Sequence, residues 1–286
     1  MREWYKYSLD PLSKGKTYLP IDHDFIDHEK AMGGYKADDA YNSKSAFFNK
    51  YFLGYHLGRL EYYDVFLRKH LKKDWNVLSI ASGRCVNELF LIEDGYRITC
   101  SDLKVFDSYK ETKKLFPKFK FVEHDILKAP AEKCDAVICL SLIYLFNDDD
   151  LFTFFKNVSD SLKIGGHLIL DSAGSSDNLL SYLIHDVILK YEIFGIRLIK
   201  FLLTGRLQSV VTKHHGYRRT DEEIIKTAKQ SGFELLHYEN YAFTIEFKRS
   251  YFLNKIIKTN SIIEKAFSIL GKSIPYIRMW YFRKVI

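Results

Sequence analysis

No two cysteines of the 286-residue chain are spaced as CxxC, and only four are present: Cys85, Cys100, Cys134 and Cys139. That sets aside a disulfide framework. Three of the four fall in or beside expected buried strands, as free thiols in a reducing cytoplasm would. No window of 18 residues is uninterruptedly apolar, so a membrane-spanning helix is not expected. Met1–Asp10 is polar and aromatic and lacks the apolar stretch of a secretory signal, which leads us to expect a cytoplasmic protein. Internal repeats and low-complexity tracts are missing too, which argues against a solenoid or a disordered chain. No cluster of His, Asp and Glu has the spacing of a ligand set, so no metal is expected.

What is present is core-forming. Apolar residues make up 47% of the chain, with 20 Tyr and 22 Phe, enough to fill one domain of ordinary to large size with appendages. The net charge of +7 is uneven. From Lys248 to Ile286 nine Lys or Arg stand against the single Glu264, a local balance of +8, so the rest of the chain sits near −1. The basic character belongs to a C-terminal appendage.

Periodicity divides the chain in three. Asp38 to Lys73 reads as one or two helices, with Phe47, Phe48, Tyr51, Phe52, Tyr55 and Leu60 on one face and Tyr62, Phe66, Leu67 and His70 on the next. Short apolar runs then alternate with helical stretches. Strands are expected at Asn76–Ala81, Arg97–Cys100, Phe119–Glu123, Asp135–Leu140 and His167–Leu170, and helices at Asn87–Ile92, Ser108–Leu115 and Leu151–Leu162. Such alternation predicts parallel βαβ units with every strand's C-terminal end on one rim. Leu179–Leu203 interrupts the rhythm as an inserted helical pair. A helix at Asp221–Ser231 and strands near Glu234–Tyr238 and Phe243–Phe247 follow, then an amphipathic helix at Tyr251–Leu270.

The first strand-turn-helix unit carries the chemistry. Its turn, Ala81-Ser82-Gly83-Arg84-Cys85, has the small residues that let backbone approach a nucleotide-like ligand, and a helix N-terminus follows. Asp102 lies 19 residues after Gly83 at the end of the second strand, where an acid accepts hydrogen bonds from ribose hydroxyls. The alternative for Asp102 is a turn residue capping the next helix.

With these elements in place, the chain resembles a class I S-adenosylmethionine-dependent methyltransferase. Ser79-Ile80-Ala81-Ser82-Gly83-Arg84-Cys85 matches the family's acidic strand end and GxGxG-like turn, with Ser79 in the acidic position and one glycine of three. Glu123-His124-Asp125-Ile126 matches the adenine-pocket motif, Cys134 to Ser141 the fourth strand, Leu162 to Leu168 the LKPGG turn, and Tyr217-Arg218-Arg219-Thr220 to Gly232-Phe233-Glu234 the late helix and its entry to strand six. The match spans about 75–249 and leaves both flanks out.

The resemblance implies a Rossmann-like, doubly wound, mostly parallel seven-stranded α/β sheet. Periodicity adds N-terminal helices (1–74, a lid and substrate segment in which Tyr35 and Tyr41 close over the donor or are surface packing), a helical insertion at about 174–216, and a basic amphipathic C-terminal segment (250–286). The implied cofactor is S-adenosyl-L-methionine. Its contacts would be Ser79, Ala81, Ser82, Gly83, Asp102, Leu103, Asp125 and Ile126, with Glu88 replacing the acid missing at Ser79. The alternative for Glu88 is a first-turn acid favoured by the helix dipole. Ser141 and Tyr144 are donor or acceptor contacts, or simply core. Where the acceptor is a hydroxyl, a base is needed, and His214, His215, Asp171 and His124 are the candidates; a solvated polar loop is the plain alternative for the two adjacent histidines.

The acceptor would be a small molecule or a lipid- or glycan-linked metabolite; the rival function is a binding protein that kept the fold. Two readings stand for the tail, where Tyr276, Trp280, Tyr281 and Phe282 interleave with Arg278, Arg283 and Lys284. One is an anionic membrane surface at the inner face of the membrane. The other is a strap packed on the domain. Nucleic acid has only charge in its favour.

Overall fold

The structure, a computed structural model, describes residues 57–105, 109–173, 189–205, 219–241, 255–257, 261–271 and 277–286. A seven-stranded sheet runs in the order β3-β2-β1-β4-β5-β7-β6. Its strands are β1 (Asn76–Ile80), β2 (Arg97–Asp102), β3 (Lys120–Glu123), β4 (Cys134–Cys139), β5 (Leu162–Ala173), β6 (Phe233–Tyr241) and β7 (Ile277–Lys284). Strands β3, β2, β1, β4 and β5 are mutually parallel, and β7 runs antiparallel to both β5 and β6.

The central strands are apolar throughout because both faces of the sheet are covered. Alternation along β1 sends Val77 to one core and Leu78 and Ile80 to the other. The first core is closed by α1 (Leu57–His70) and α2 (Val86–Glu93), through Tyr63, Phe66, Leu67, Leu89 and Ile92. The second is closed by α4 (Asp148–Ser161) and α6 (Asp221–Gln230). Between them in sequence lie α3 (Tyr109–Leu115) and α5 (Leu189–Thr204); α7 (Ile262–Gly271) precedes the last strand.

Helix α4 shows how local sequence sets these covers. Asn147 caps it by accepting from the Asp150 N–H at 2.8 Å, and Asp148, Asp149 and Asp150 place negative charge at the positive end of the helix dipole. Leu151, Phe154, Phe155 and Val158 then fall on one face and pack on the sheet, each burial contributing roughly 2 kcal/mol. Helix α6 starts with a capping box between Thr220 and Glu223. Before the body of β5, Gly165 takes a φ of 76°. A Cβ on Gly166 would stand 2.8 Å from the Lys163 carbonyl oxygen, so glycine is required at that close approach.

The tail departs from the sequence reading. Its last strand-forming residues lie inside the sheet, between β5 and β6, so a domain limit at 249 cuts off a strand of the domain. Trp280, Phe282 and Arg278 are buried. The Arg278 guanidinium donates to Asp221 Oδ1 at 2.6 Å and to the Arg219 carbonyl at 2.8 Å, and lies 5.0 Å from the Trp280 ring centroid. Lys284 Nζ donates to the Ser159 and Leu162 carbonyls at the C-terminal end of α4. Arg278, Trp280, Phe282 and Lys284 are thus held within the protein. Tyr276 and the strand expected at Phe243–Phe247 lie outside the described residues, as do Tyr35 and Tyr41. Among the described residues no helix is long and apolar enough to cross a membrane.

Candidate functional site

The strand order reverses between β1 and β4, and the C-terminal ends of β1, β2, β3, β4 and β5 form one rim there. Such a reversal opens a crevice at the carboxyl ends of the strands. The turn leaving β1 has an unusual backbone. Ala81, Gly83 and Cys85 take φ values of 52°, 52° and 60°, all left-handed. Only Gly83 does so without steric cost; the other two carry about 1 kcal/mol each.

The turn is tied to β2. Ser82 donates to the Ser101 carbonyl at 3.0 Å through both its N–H and its Oγ. Asp102 Oδ2 accepts from the Gly83 N–H at 2.9 Å, and Oδ1 from the Leu103 N–H at 2.8 Å. Burial pushes the Asp102 carboxyl above its ordinary range, while the two N–H donors pull it back. The two amides fix the carboxylate's orientation, and a carboxylate has roughly four acceptor sites, so two remain.

Further along the rim, Asp125 Oδ1 accepts from the Leu127 N–H at 3.1 Å, and Oδ2 pairs with Lys128 at 3.2 Å. Ile126 is buried against the second core and its carbonyl accepts from Asn157. The His124 N–H donates to the Asp102 carbonyl, joining the β3 and β2 ends. Ser141, after β4, also takes a left-handed φ of 59°, and its N–H donates to Asp171 Oδ1. Tyr144 lies in a short 3-10 turn (Ile143–Leu145), half-buried against the second core.

Asp171 is not an open base. It is 1% exposed, and its second oxygen accepts from the Tyr63 hydroxyl of α1. A carboxylate with both oxygens engaged acts here as a bracket that sets the Ser141 turn and seats α1. Tyr63 was not singled out from sequence. The signal for it was its place one helical turn before Leu67 in the apolar stripe of α1. His214 and His215 lie outside the described residues.

Glu88, expected in place of the acid missing at Ser79, lies against Ser79 itself. The residue is 2% exposed beneath the turn, where Oε1 accepts from Ser79 Oγ at 2.6 Å. Its Oε2 is sealed from solvent with no hydrogen-bond partner. Desolvation raises the carboxyl to about 7, against the opposing hydrogen bond from Ser79. The fold also brings together what the sequence kept apart: ligand atoms of Cys85, Glu88 and Cys100 lie within 4.8 Å of one another, all buried.

No protein-family model matches the chain, and no curated protein matches its sequence. Solved structures do match in three dimensions. The 1,6-didemethyltoxoflavin-N1-methyltransferase of Burkholderia thailandensis, solved with 1,6-didemethyltoxoflavin and S-adenosylhomocysteine, aligns with a TM-score of 0.54. It shares 12% identity, over 95% of this chain and 94% of that one. The geranyl diphosphate C-methyltransferase of Streptomyces coelicolor aligns at 0.51 with 13% identity, over 79% of this chain and 78% of its own. An S-adenosylmethionine-dependent methyltransferase of Methanosarcina mazei aligns at 0.50 with 14% identity, over 77% and 97%. The fold is thus the Rossmann-like fold of class I S-adenosylmethionine-dependent methyltransferases.

Proposed function

We propose that the chain is an S-adenosylmethionine-dependent methyltransferase acting on a hydroxyl or amine of a metabolite. One observation carries the reading: three alternating left-handed residues, Ala81, Gly83 and Cys85, held beside an amide-oriented Asp102 at the point where strand order reverses. Strain of this kind persists where a ligand needs the backbone in that shape. The remaining lone pairs of Asp102 suit ribose hydroxyls, with Leu103 beside it. Asp125 and Ile126 suit the adenine, and Ser141 and Tyr144 flank the reacting end. The cofactor, when bound, supplies an electrophilic methyl group; the protein's part is to align the acceptor in line with it and exclude water. For a hydroxyl acceptor, His214 and His215 remain the candidate bases.

The acceptor has an apolar portion in this reading. Helix α5, in the insertion, leaves Leu198, Ile199, Leu202 and Leu203 exposed, the last two by 72% and 79%. Flotation with anionic liposomes separates a lipid-linked acceptor, which predicts association, from a small soluble one, which predicts none.

Calorimetric titration with S-adenosylmethionine and S-adenosylhomocysteine tests the donor site. Micromolar binding to the wild type is expected, weakened at least tenfold (about 1.4 kcal/mol) in Asp102→Ala. Folded wild-type protein that binds neither compound would overturn the reading.

A further inference from the structure

Beneath the turn lies a cluster that the donor reading does not use. Cys85 ends the turn at a φ of 60°, Glu88 lies in the first turn of α2, and Cys100 lies in β2. Val77, Cys85, Leu89 and Cys100 share the first core, so the cluster sits on that face of the sheet. It is a buried group of three titratable side chains, and none of the hydrogen bonds or ion pairs described for them comes from a cationic side chain.

We propose that Cys85, Glu88 and Cys100 bind one zinc ion that clamps the turn to β2. Three independent features point there. The two sulfurs and one carboxylate oxygen lie within 4.8 Å of one another. Small shifts bring that spacing to the roughly 3.4–3.8 Å edge of a tetrahedron built on zinc–sulfur bonds near 2.3 Å and zinc–oxygen bonds near 2.0 Å. Glu88 Oε2 is buried and unpartnered, while Oε1 is already oriented by Ser79, the outer-sphere support that metal carboxylates receive. Third, Cys85 holds a conformation in which glycine would be unstrained, so a side chain is retained there against about 1 kcal/mol. The Ser82 hydroxyl, 3.5 Å from Cys85 Sγ, or a water would complete the fourth position.

The donor set selects the ion. Magnesium and calcium take oxygen ligands, whereas two thiolates with a carboxylate suit zinc. Burial alone favours the neutral forms: it holds both thiols above their ordinary range and Glu88 near 7. Zinc reverses that preference, because a divalent charge deprotonates its thiol ligands; the protons pass to the buffer. This inference stands apart from the donor reading, since the ion is measured without S-adenosylmethionine.

The test uses the full chain, without an affinity tag, produced in zinc- or cobalt-supplemented minimal medium and purified under reducing conditions. Mass-spectrometric metal analysis should find about one ion per chain. The cobalt form should show thiolate-to-metal charge transfer and the visible bands of a tetrahedral ion. Cys139→Ala, altering a buried thiol on the opposite face, should retain both signals, and Cys100→Ala should lose at least nine-tenths of each. Where Cys100→Ala fails to fold, Glu88→Gln, which keeps the side chain's shape, should still lower bound metal severalfold. Metal-free folded wild type after supplementation would overturn the proposal. So would a full equivalent of metal in either folded variant.

Discussion

The two ends of the sheet treat buried charge-bearing groups differently. On the β5-β7-β6 side, Arg278 and Lys284 are cations taken out of water, and each is met by acceptors: Asp221 and the Arg219 carbonyl for one, the closing carbonyls of α4 for the other. On the β1-β2 side, Glu88 keeps an oxygen with no partner, two thiols lie beside it, and the turn above holds left-handed backbone at non-glycine residues. A buried charge supplied with partners holds a fold together. A buried group left unsatisfied beside strained backbone marks where something else is to be bound. The antiparallel edge is structural; under the proposed function, the parallel switch point is the working side.

The sharpest way to break this division is Trp280→Ala. Trp280 sits at the centre of β7, fully buried, against Tyr238 and the Arg278 guanidinium. Its truncation should cost about 4 kcal/mol, read as a lower urea midpoint, with the affinity for S-adenosylmethionine per folded molecule unchanged. A variant that unfolds like the wild type but no longer associates with liposomes would return this strand to a membrane role.

How much of this was legible from sequence follows the same division. The parallel half was read almost element by element. Its signals are local: NVLSI followed by small turn residues, an acid 19 residues after Gly83, and Gly165-Gly166 early in β5. In the tail two readings stood side by side and the strand went unseen, because its partners are remote. Arg278 meets an aspartate 57 residues earlier, and Lys284 meets carbonyls more than 120 residues earlier. In sequence, therefore, an interleaved aromatic and basic run has the composition of an exposed interface. Cys85 and Cys100 escaped notice as a pair for a related reason. Their proximity comes from the β1–β2 register, which sets Cys100 opposite Ser79, and not from any short spacing.

A smaller effect is expected on acidification, again on the structural side. Trp75, His167, Tyr281, His70 and His237 form a ladder of rings with neighbouring centroids 4.5–5.2 Å apart. His70 is pulled down to about 4, first by burial, then by the charges of Lys69 and His237, with Glu239 opposing and His167 adding to the fall. The unfolded chain takes up that proton near pH 6.5 and the native state only near 4. Between those values the unfolded state holds more protons, so stability is full above the window and falls as pH drops through it. His167 is shifted in the same direction. The urea midpoint should decline between pH 7 and 5, and His70→Phe, which keeps the stack on Phe66 and Tyr281, should flatten that decline. An identical slope in the variant would remove His70 from the account.

The smallest effect tests the working side through its backbone. Ala81 holds a φ of 52°, where an L-residue with a Cβ is disfavoured by about 1–2 kcal/mol. Glycine there relieves the strain but adds freedom to the unfolded chain, a counterterm of about 0.5–1 kcal/mol. Ala81→Gly should therefore stabilise the protein by about 0.5 kcal/mol, whereas the same substitution at a right-handed or extended position would destabilise it. Because the left-handed shape is kept, binding of S-adenosylmethionine should hold or tighten. A loss of about 1 kcal/mol would mean that Ala81 does not occupy left-handed space in solution. The strained turn would then cease to mark the working side, leaving Asp102 to carry the donor site alone.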